Sequence, residues 1–172
     1  MDYLSTQITK AGKEAAFNAG NTGLSLEISH IAFGNQGWSP IIDDPAQSLK
    51  SEILRVPILK GEKTGSQIHL TARADGEDNF IIKEVGFFLK DGTLFAVYSS
   101  QNALAYKNAG TELILDFYLS LSTVPQNSIS VISQNSIDSS LTKELISIVS
   151  GNVKIAYVQI KNLQKIISDI IK

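Results

Sequence analysis

Hydrophobic and polar residues alternate along several short stretches of the chain, and this period of two is typical of β-strands with one buried face. The alternation is clearest over residues 67–74 and 111–123, where the side chains of one parity are apolar. It is also present over residues 24–33, but there the apolar parity reverses near His30. The reversal predicts either a β-bulge near His30 or a strand that is buried on both faces.

Further strands are predicted from apolar runs that are bounded by turn residues. Residues 80–89 are apolar on both parities, and Asp91-Gly92 is a tight hairpin turn that leads into a strand over residues 93–99. Short extended segments are expected at residues 4–9, 54–59 and 129–132. Pro57 has no N–H group, so it places the second of these segments at a sheet edge or at a bulge.

Two short helices are expected among the strands. Residues 10–20 are rich in alanine and charged residues, and residues 18–23 contain the asparagines and glycines at which a helix ends. Residues 45–54 are the second candidate, with Asp44 as the N-cap and Pro45 at the first helical position. The pattern therefore predicts a mainly β (α+β) fold, with an antiparallel β domain over residues 1–132 that contains one or two short helices.

The C-terminal region, residues 133–172, has a different period. Its apolar residues are separated alternately by three and four positions, which is a heptad repeat with apolar a and d positions. The eight positions are Ile146, Val149, Val153, Ala156, Ile160, Leu163, Ile167 and Ile170. A stripe with an average period of 3.5 residues stays on one side only if helices supercoil around each other. We therefore predict a linker and a C-terminal α-helix that forms a parallel coiled coil, with these residues as the oligomer interface.

A single amphipathic helix packed on its own domain is the alternative explanation for this stripe. About 30 helical residues span about 45 Å, which exceeds the width of a domain of this size. Isoleucine at both a and d, as at Ile167 and Ile170, favours three strands. Apolar residues also occupy flanking positions, at Leu145, Ile166 and Ile171. They widen the stripe, so the pattern favours a trimer over a dimer.

Composition and charge narrow the possible functions. The chain of 172 residues has no cysteine, so thiolate metal sites are excluded. Its formal net charge is −2 and it lacks a run of basic residues, so the charge pattern typical of nucleic-acid-binding proteins is absent. The net charge is 10 − 14 = −4 up to residue 132 and 5 − 3 = +2 beyond it, which supports a division there. No apolar run is long enough to span a membrane, and the N-terminus lacks the pattern of a signal peptide. We expect synthesis in the cytoplasm, without membrane insertion.

Few residues offer catalytic or ligand-binding chemistry. His30, at the parity reversal, is expected to be buried and hydrogen-bonded, whereas His69 lies on the polar side of its strand. Neither histidine has a serine or a carboxylate at a known motif spacing. The acidic run at residues 75–79 lacks the ligand pattern of a calcium loop and is interpreted as a solvated turn. The sequence therefore predicts no catalytic, cofactor-binding or metal site, and a protein that is not an enzyme.

Two residues are notable for other reasons. Glu84 is a charged residue within the buried run at residues 80–89, so it is predicted to form a buried ion pair with Arg55 or Arg73. Trp38, the only tryptophan, is expected to be exposed on a glycine-flanked loop. It is expected either to contact a partner protein as an interface anchor or to close one end of the core.

Several stretches of the β domain resemble the N-terminal domain of phage tail-collar fibre proteins, the fibres of P2-like contractile tails. These stretches are ITKAGKEAA at residues 8–16, ISHIAFGN at residues 28–35, residues 49–55, KEVGFF at residues 83–88 and GTLFAV at residues 92–97. Each is short, but together they cover most of residues 5–125 in the order found in the family.

The resemblance implies a structural virion protein in the tail, at the baseplate periphery of a phage or a phage-tail-like particle. The β domain would attach the fibre to a baseplate protein of a contractile tail, and the coiled coil would join three copies of this chain or of close paralogues. The sequence ends at Lys172 within the heptads, so we expect either that the rest of the fibre is absent from this sequence or that a distal fibre protein is a further partner. The alternative is a carbohydrate-binding, host-receptor module on a coiled-coil stalk, which would need exposed aromatic residues clustered on one face.

Overall fold

The computed structural model describes residues 6–133, which form one α-helix and ten β-strands. The strands are β1 (Gln7–Ile8), β2 (Leu26–Gly34), β3 (Glu52–Thr64), β4 (Gln67–Ala74), β5 (Phe80–Ile82), β6 (Glu84–Leu89), β7 (Leu94–Ser99), β8 (Ala105–Lys107), β9 (Leu113–Ser120) and β10 (Ile129–Val131). The helix, α1 (Lys10–Thr22), lies between β1 and β2, and a short 3₁₀ helix (Gln126–Ser128) precedes β10. The predicted antiparallel β domain with a short helix is confirmed. The eight predicted coiled-coil positions lie outside the described residues.

One strand, β3, determines the shape of the main sheet. The sheet has the antiparallel order β1-β7-β6-β2-β3-β4-β9, and β10 joins it parallel to β2. Residues 52–57 of β3 pair with β2, whereas residues 58–64 pair with β4. The change of neighbour comes directly after Pro57, and the register against β4 shifts between Ile58 and Lys60. The irregularity predicted at this proline is therefore confirmed.

The two halves of the sheet enclose the main hydrophobic core. The ring centroid of Phe117 on β9 lies 6.3 Å from that of Phe33 on β2 and 5.5 Å from that of Phe87 on β6. Aromatic pairs at these separations stabilise a core beyond the area that they bury. Strand β9, at one edge of the sheet in pairing order, therefore packs over the central strands β2 and β6.

The parity reversal in β2 has both of the predicted causes. The register of β2 against β6 shifts between Ile28 and His30, as at a β-bulge. Beyond the bulge, Ile31 and Phe33 belong to the main core, whereas Ala32 belongs to a second, smaller core cluster. Successive side chains of a strand point to opposite faces, so this half of β2 is buried on both sides. The expected burial of His30 is wrong, because its side chain is exposed.

The helix α1 is held against β7 at its first turn. The hydroxyl of Thr9 accepts a hydrogen bond of 2.9 Å from the N–H of Gly12, which is an N-cap, and donates one of 2.5 Å to the carbonyl of Leu94. The absence of a side chain at Gly12 allows the helix to approach the backbone of Phe95. Gly23 ends the helix with φ of 69°, a left-handed conformation that favours glycine. The helix predicted from residue 10 onwards is confirmed.

The second predicted helix, over residues 45–54, is wrong. Residues 45–51 are irregular, and Glu52 already begins β3. The physical reason is competition for backbone donors, because the N–H groups of Lys50 and Ser51 donate to the buried carboxylate of Glu84. They are therefore not available for the i→i−4 bonds of a helix. Leu49 is also drawn into the smaller core cluster.

The apolar run at residues 80–89 forms two strands instead of one. The chain turns at Lys83, whose N–H donates to the carbonyl of Gly34 at 2.9 Å. Before this point β5 pairs with β8 in a separate two-stranded sheet, and after it β6 enters the main sheet. Strand β8 was not predicted, since its three residues show no extended alternation.

Candidate functional site

The carboxylate of Glu84 is the centre of a buried polar site. The residue is 0% exposed, and both of its oxygens accept hydrogen bonds from other parts of the chain. The Oε2 atom accepts from Nε1 of Trp38 at 3.1 Å and from the N–H of Lys50 at 3.0 Å, and Oε1 accepts from the N–H of Ser51 at 2.7 Å. Hydrogen bonds to an ionised acceptor are roughly twice as strong as neutral ones. The absence of any exposed surface on Glu84 confirms its predicted burial.

The two arginines expected beside Glu84 have other partners. Arg55 forms an ion pair with Glu52, with Nη2 2.7 Å from Oε2, and it also lies 3.7 Å from the ring centroid of Phe88. Arg73 lies 3.8 Å from carboxylate oxygens of Asp75 and Glu112. Among the described residues, the partners of Glu84 are thus one indole and two backbone N–H groups. The expectation of an arginine partner is wrong.

Trp38 closes one end of the core. The expected exposure of Trp38 is wrong, because the residue is only 9% exposed and belongs to the smaller core cluster with Ala32 and Phe88. Its backbone N–H donates to the hydroxyl of Ser99 at 3.0 Å. On its outer side, the ammonium of Lys50 lies 4.4 Å from the ring centroid, a cation–π contact. The structure therefore supports the role of Trp38 in closing the core, and its contact with a partner protein stays a prediction.

Gly34, at the end of β2, allows the segment between β2 and β3 to lie close to the sheet. A Cβ atom at this position would overlap the carbonyl of Ser51 and the side chain of Glu84. The end of β2 must therefore lack a side chain for the carboxylate to lie beneath the loop. The site as a whole fixes the long segment between β2 and β3 on the sheet, and its carboxylate is enclosed by the groups that bind it.

The two histidines lie in different environments. His30 is exposed, and its Nδ1 is hydrogen-bonded to the hydroxyl of Ser29 at 2.8 Å. His69 lies on the outer face of β4, where its ring stacks on Tyr118 with centroids 4.6 Å apart. Its Nε2 lies 3.0 Å from a carboxylate oxygen of Asp116, 47 residues away along the chain. The sequence spacing did not indicate this pair, because β9 and β4 meet only in the folded sheet.

The outer face of β3 next to these residues carries a paired lysine and glutamate. The ammonium of Lys60 lies 2.8 Å from Oε1 of Glu62. Their hydrogen bond and Coulomb attraction raise the pKa of Lys60 and lower the pKa of Glu62. Both side chains are solvated, and exposed pairs of this kind contribute little to stability. This face is therefore a polar surface whose charges are paired locally.

The acidic run at residues 75–79 is closed by a buried lysine. Lys107 on β8 is buried, and its ammonium donates to the carbonyls of Gly76 at 2.8 Å and Asn108 at 2.6 Å. The side-chain oxygen of Asn79 accepts from the N–H of Ala109 at 2.7 Å. Residues 75–79 are thus a turn held by main-chain carbonyls and one cation. Within residues 6–133, no group of three or more histidine, aspartate or glutamate side chains could hold a metal ion.

These features define a structural β domain, in which the buried charges of Glu84 and Lys107 hold loops in place. Residues 1–131 match the family model described as phage tail-collar fibre protein, N-terminal, and the chain belongs to this family. It is a structural protein of a phage tail fibre and a component of the virion tail. No curated protein and no solved structure matches the chain. In the described part of the chain, no helix is long and apolar enough to cross a membrane.

Proposed function

We propose that this chain is the baseplate-proximal part of a tail fibre, in which the β domain binds a contractile tail and residues 133–172 hold three chains together. The observation that carries the proposal is the family match, because it covers almost all of the β domain and stops before the heptads. The domain that defines the family is thus followed by a region with a different, oligomeric pattern.

The heptads support the trimeric part of the proposal. Eight consecutive a and d positions between Ile146 and Ile170 are apolar. A stripe of this length needs partner helices to bury it, and isoleucine at both positions favours three. Three chains give a fibre three β domains at one end, and so three contacts with the tail.

We further propose that strand β10 takes the load that the fibre places on the β domain. It is the last described strand, and it lies parallel to the central strand β2. Ile129 is buried, its carbonyl accepts a hydrogen bond of 3.0 Å from the ammonium of Lys63, and the N–H of Ile132 donates to the carbonyl of Ile28 at 3.1 Å. A pull on the chain beyond β10 acts first on this strand, so its attachment to β2 carries force into the core.

Two measurements on the full chain test the proposal. Light scattering after size-exclusion chromatography is expected to give the mass of three chains at micromolar concentration, and a monomer would overturn the trimer. Tail particles assembled without this chain are then mixed with the purified protein and sedimented. Saturable recovery of the chain with the particles is expected, whereas particles that bind none of it would overturn the attachment function.

A further inference from the structure

Three large apolar side chains lie exposed around the helix α1. Ile41 and Ile42, adjacent on the loop between β2 and β3, are 63% and 76% exposed, and Phe17 on α1 is 49% exposed. A cleft of about 460 Å³ is lined by Phe17, Asp43 and four polar residues of α1, namely Lys10, Lys13, Glu14 and Asn18. Ile42 lines a neighbouring cleft that shares Lys13 and Asp43 with the first. We refer to Phe17, Ile41, Ile42 and the cleft at Phe17 as the α1 patch.

The loop that carries the two isoleucines is held in place by several contacts. The buried carboxylate of Asp44 accepts hydrogen bonds from the N–H of Ile41 at 3.1 Å and of Ala46 at 2.9 Å. The carbonyl of Asp44 accepts a third bond, of 3.0 Å, from the N–H of Lys10. These bonds hold the loop against the first turn of α1. The two isoleucines are therefore exposed because the backbone of the loop is held in this position.

The residue between the isoleucines and Asp44 adds to this constraint. Asp43 has φ of 56°, the one positive φ among the described residues other than glycine. This conformation is unfavourable for a side chain with a Cβ atom and persists only where the surroundings hold it. The ammonium of Lys13, 2.5 Å from the carboxylate of Asp43, is one such contact. Backbone strain of this kind is found at binding surfaces more often than in ordinary loops.

Three of the other exposed apolar side chains on the described surface have close local neighbours. Tyr118 stacks on His69, and Ile81 lies opposite Tyr106 across the β5–β8 pair. Single exposed apolar residues are normal on soluble proteins. The α1 patch differs, because it combines two adjacent isoleucines, an aromatic ring, a cleft and a strained loop.

We propose that the α1 patch is the surface through which the β domain binds the tail, and that its occupant is an apolar segment of a tail protein. This inference rests on the proposed attachment function and names the site for it. The segment places an apolar side chain in the cleft beside Phe17. Lys10 and Glu14 line the cleft and form no ion pair within residues 6–133. A complementary segment therefore has an acidic group facing Lys10 and a basic group facing Glu14.

The size of the patch favours a separate tail protein over a second copy of this chain. Three side chains expose on the order of a few hundred Å², similar to the largest apolar patch on many monomers. A stable pairing of two copies buries about 800 Å² on each partner. A fibre with three β domains instead engages three equivalent sites at once, and the linked contacts strengthen each other without a larger patch.

The test uses full-chain variants and tail particles that were assembled without this chain. The variants are Ile41→Ser with Ile42→Ser, and separately Phe17→Ser. The matched control is Ile114→Ser with Tyr118→Ser on β9, because these residues are comparably exposed. We expect the two patch variants to sediment with the particles at least tenfold less than the unmodified chain, and the control to remain within twofold. Fluorescence of the buried Trp38 checks that each variant is folded, which is expected because only exposed side chains change.

Each remaining outcome is decisive. If the unmodified chain binds the particles and the patch variants bind equally well, the site is elsewhere and this inference is overturned while the attachment function stands. If the unmodified chain does not bind, the attachment function itself fails. If the patch variants lose mass from three chains to one in light scattering, the patch is a contact between copies, and the proposed occupant is wrong.

Discussion

The indole Nε1 of Trp38 donates a hydrogen bond of 3.1 Å to Oε2 of Glu84, which lies 46 residues further along the chain. This bond joins the loop after β2 to the first residue of β6. The same carboxylate binds the N–H groups of Lys50 and Ser51, so one side chain holds the beginning and the end of the segment between β2 and β3. An anion can do this because it accepts several hydrogen bonds at once.

Removal of this carboxylate is expected to destabilise the β domain strongly. Glu84→Ala leaves one buried indole N–H and two partly buried backbone N–H groups without their acceptor, and a buried donor left unpaired costs about 1–3 kcal/mol. We expect a loss of more than about 3 kcal/mol in the free energy of unfolding for this variant, and about 1–2 kcal/mol for Trp38→Phe, which removes one bond and keeps an aromatic ring. Urea denaturation followed by circular dichroism measures both.

The exposed variant Glu77→Gln is the control for Glu84→Ala and should leave the urea midpoint unchanged. Glu84→Gln is expected to lie between Glu84→Ala and the unmodified chain, because its amide keeps one acceptor oxygen but turns an N–H₂ group towards a donor. A midpoint for Glu84→Ala equal to that of the unmodified chain would show that the carboxylate does not hold the loop.

Gly61 and Val131 are expected to be energetically coupled. A Cβ atom at Gly61 would overlap Cγ1 of Val131, so the side chain of Val131 packs on β3 at a position where β3 has no side chain. Overpacking of this kind typically costs about 1–3 kcal/mol, and we expect Gly61→Ala to fall in this range. Gly61→Ala combined with Val131→Ala should be less destabilised than the sum of the two single variants. A double-mutant cycle measures the difference, and strict additivity would contradict the close approach.

Gly12 is expected to resist substitution even though it lies in a helix. Alanine is favoured over glycine in helices by about 1 kcal/mol, yet a Cβ atom here would overlap the backbone carbonyl of Phe95, which cannot rotate away. We therefore expect Gly12→Ala to lower the thermal midpoint. The matched control is Asn18→Ala on the exposed side of α1, where the midpoint should stay the same or rise. A higher midpoint for Gly12→Ala would mean that α1 does not lie against β7 as described.

The heptad pattern makes a prediction that is independent of the β domain. Ile160 is at an a position, so Ile160→Asp places a charge in the predicted interface of every chain. We expect light scattering to show single chains at micromolar concentration for this variant, with the unfolding of the β domain unchanged. Asn162→Asp, at the outward c position, adds the same charge and should remain trimeric. An Ile160→Asp variant that stays trimeric would place the interface elsewhere.

Local periodicity was sufficient to predict most of the elements of the β domain. The strands at residues 67–74 and 93–99 and the helix from residue 10 are found within a few residues of their predicted ends. In each case the alternation or the helix-forming composition belongs to the element itself. The parity reversal at His30 was also informative, because a bulge shifts the pattern within one strand.

The helix predicted at residues 45–54 failed for the opposite reason. Its signals, an aspartate before a proline and then polar and apolar residues, are local, whereas Glu84 competes for its N–H groups from more than thirty residues away. The pairing of His69 with Asp116 and the ion pair between Lys13 and Asp43 could not be predicted for the same reason, because the partners are far apart along the chain. A sequence can identify a buried charge, but its partners depend on which strands become neighbours.

The sequence by itself determined that Glu84 would be buried, because an apolar run on both parities is buried on both faces. It also determined the period of the C-terminal heptads and the family to which the chain belongs, since both are patterns in residue order. Only the tertiary structure decided that Trp38 and two backbone N–H groups, and neither arginine, would bind that carboxylate. The physical reason is that hydrogen bonds act over about 3 Å, and only the folded chain brings the loop after β2 within that distance of β6.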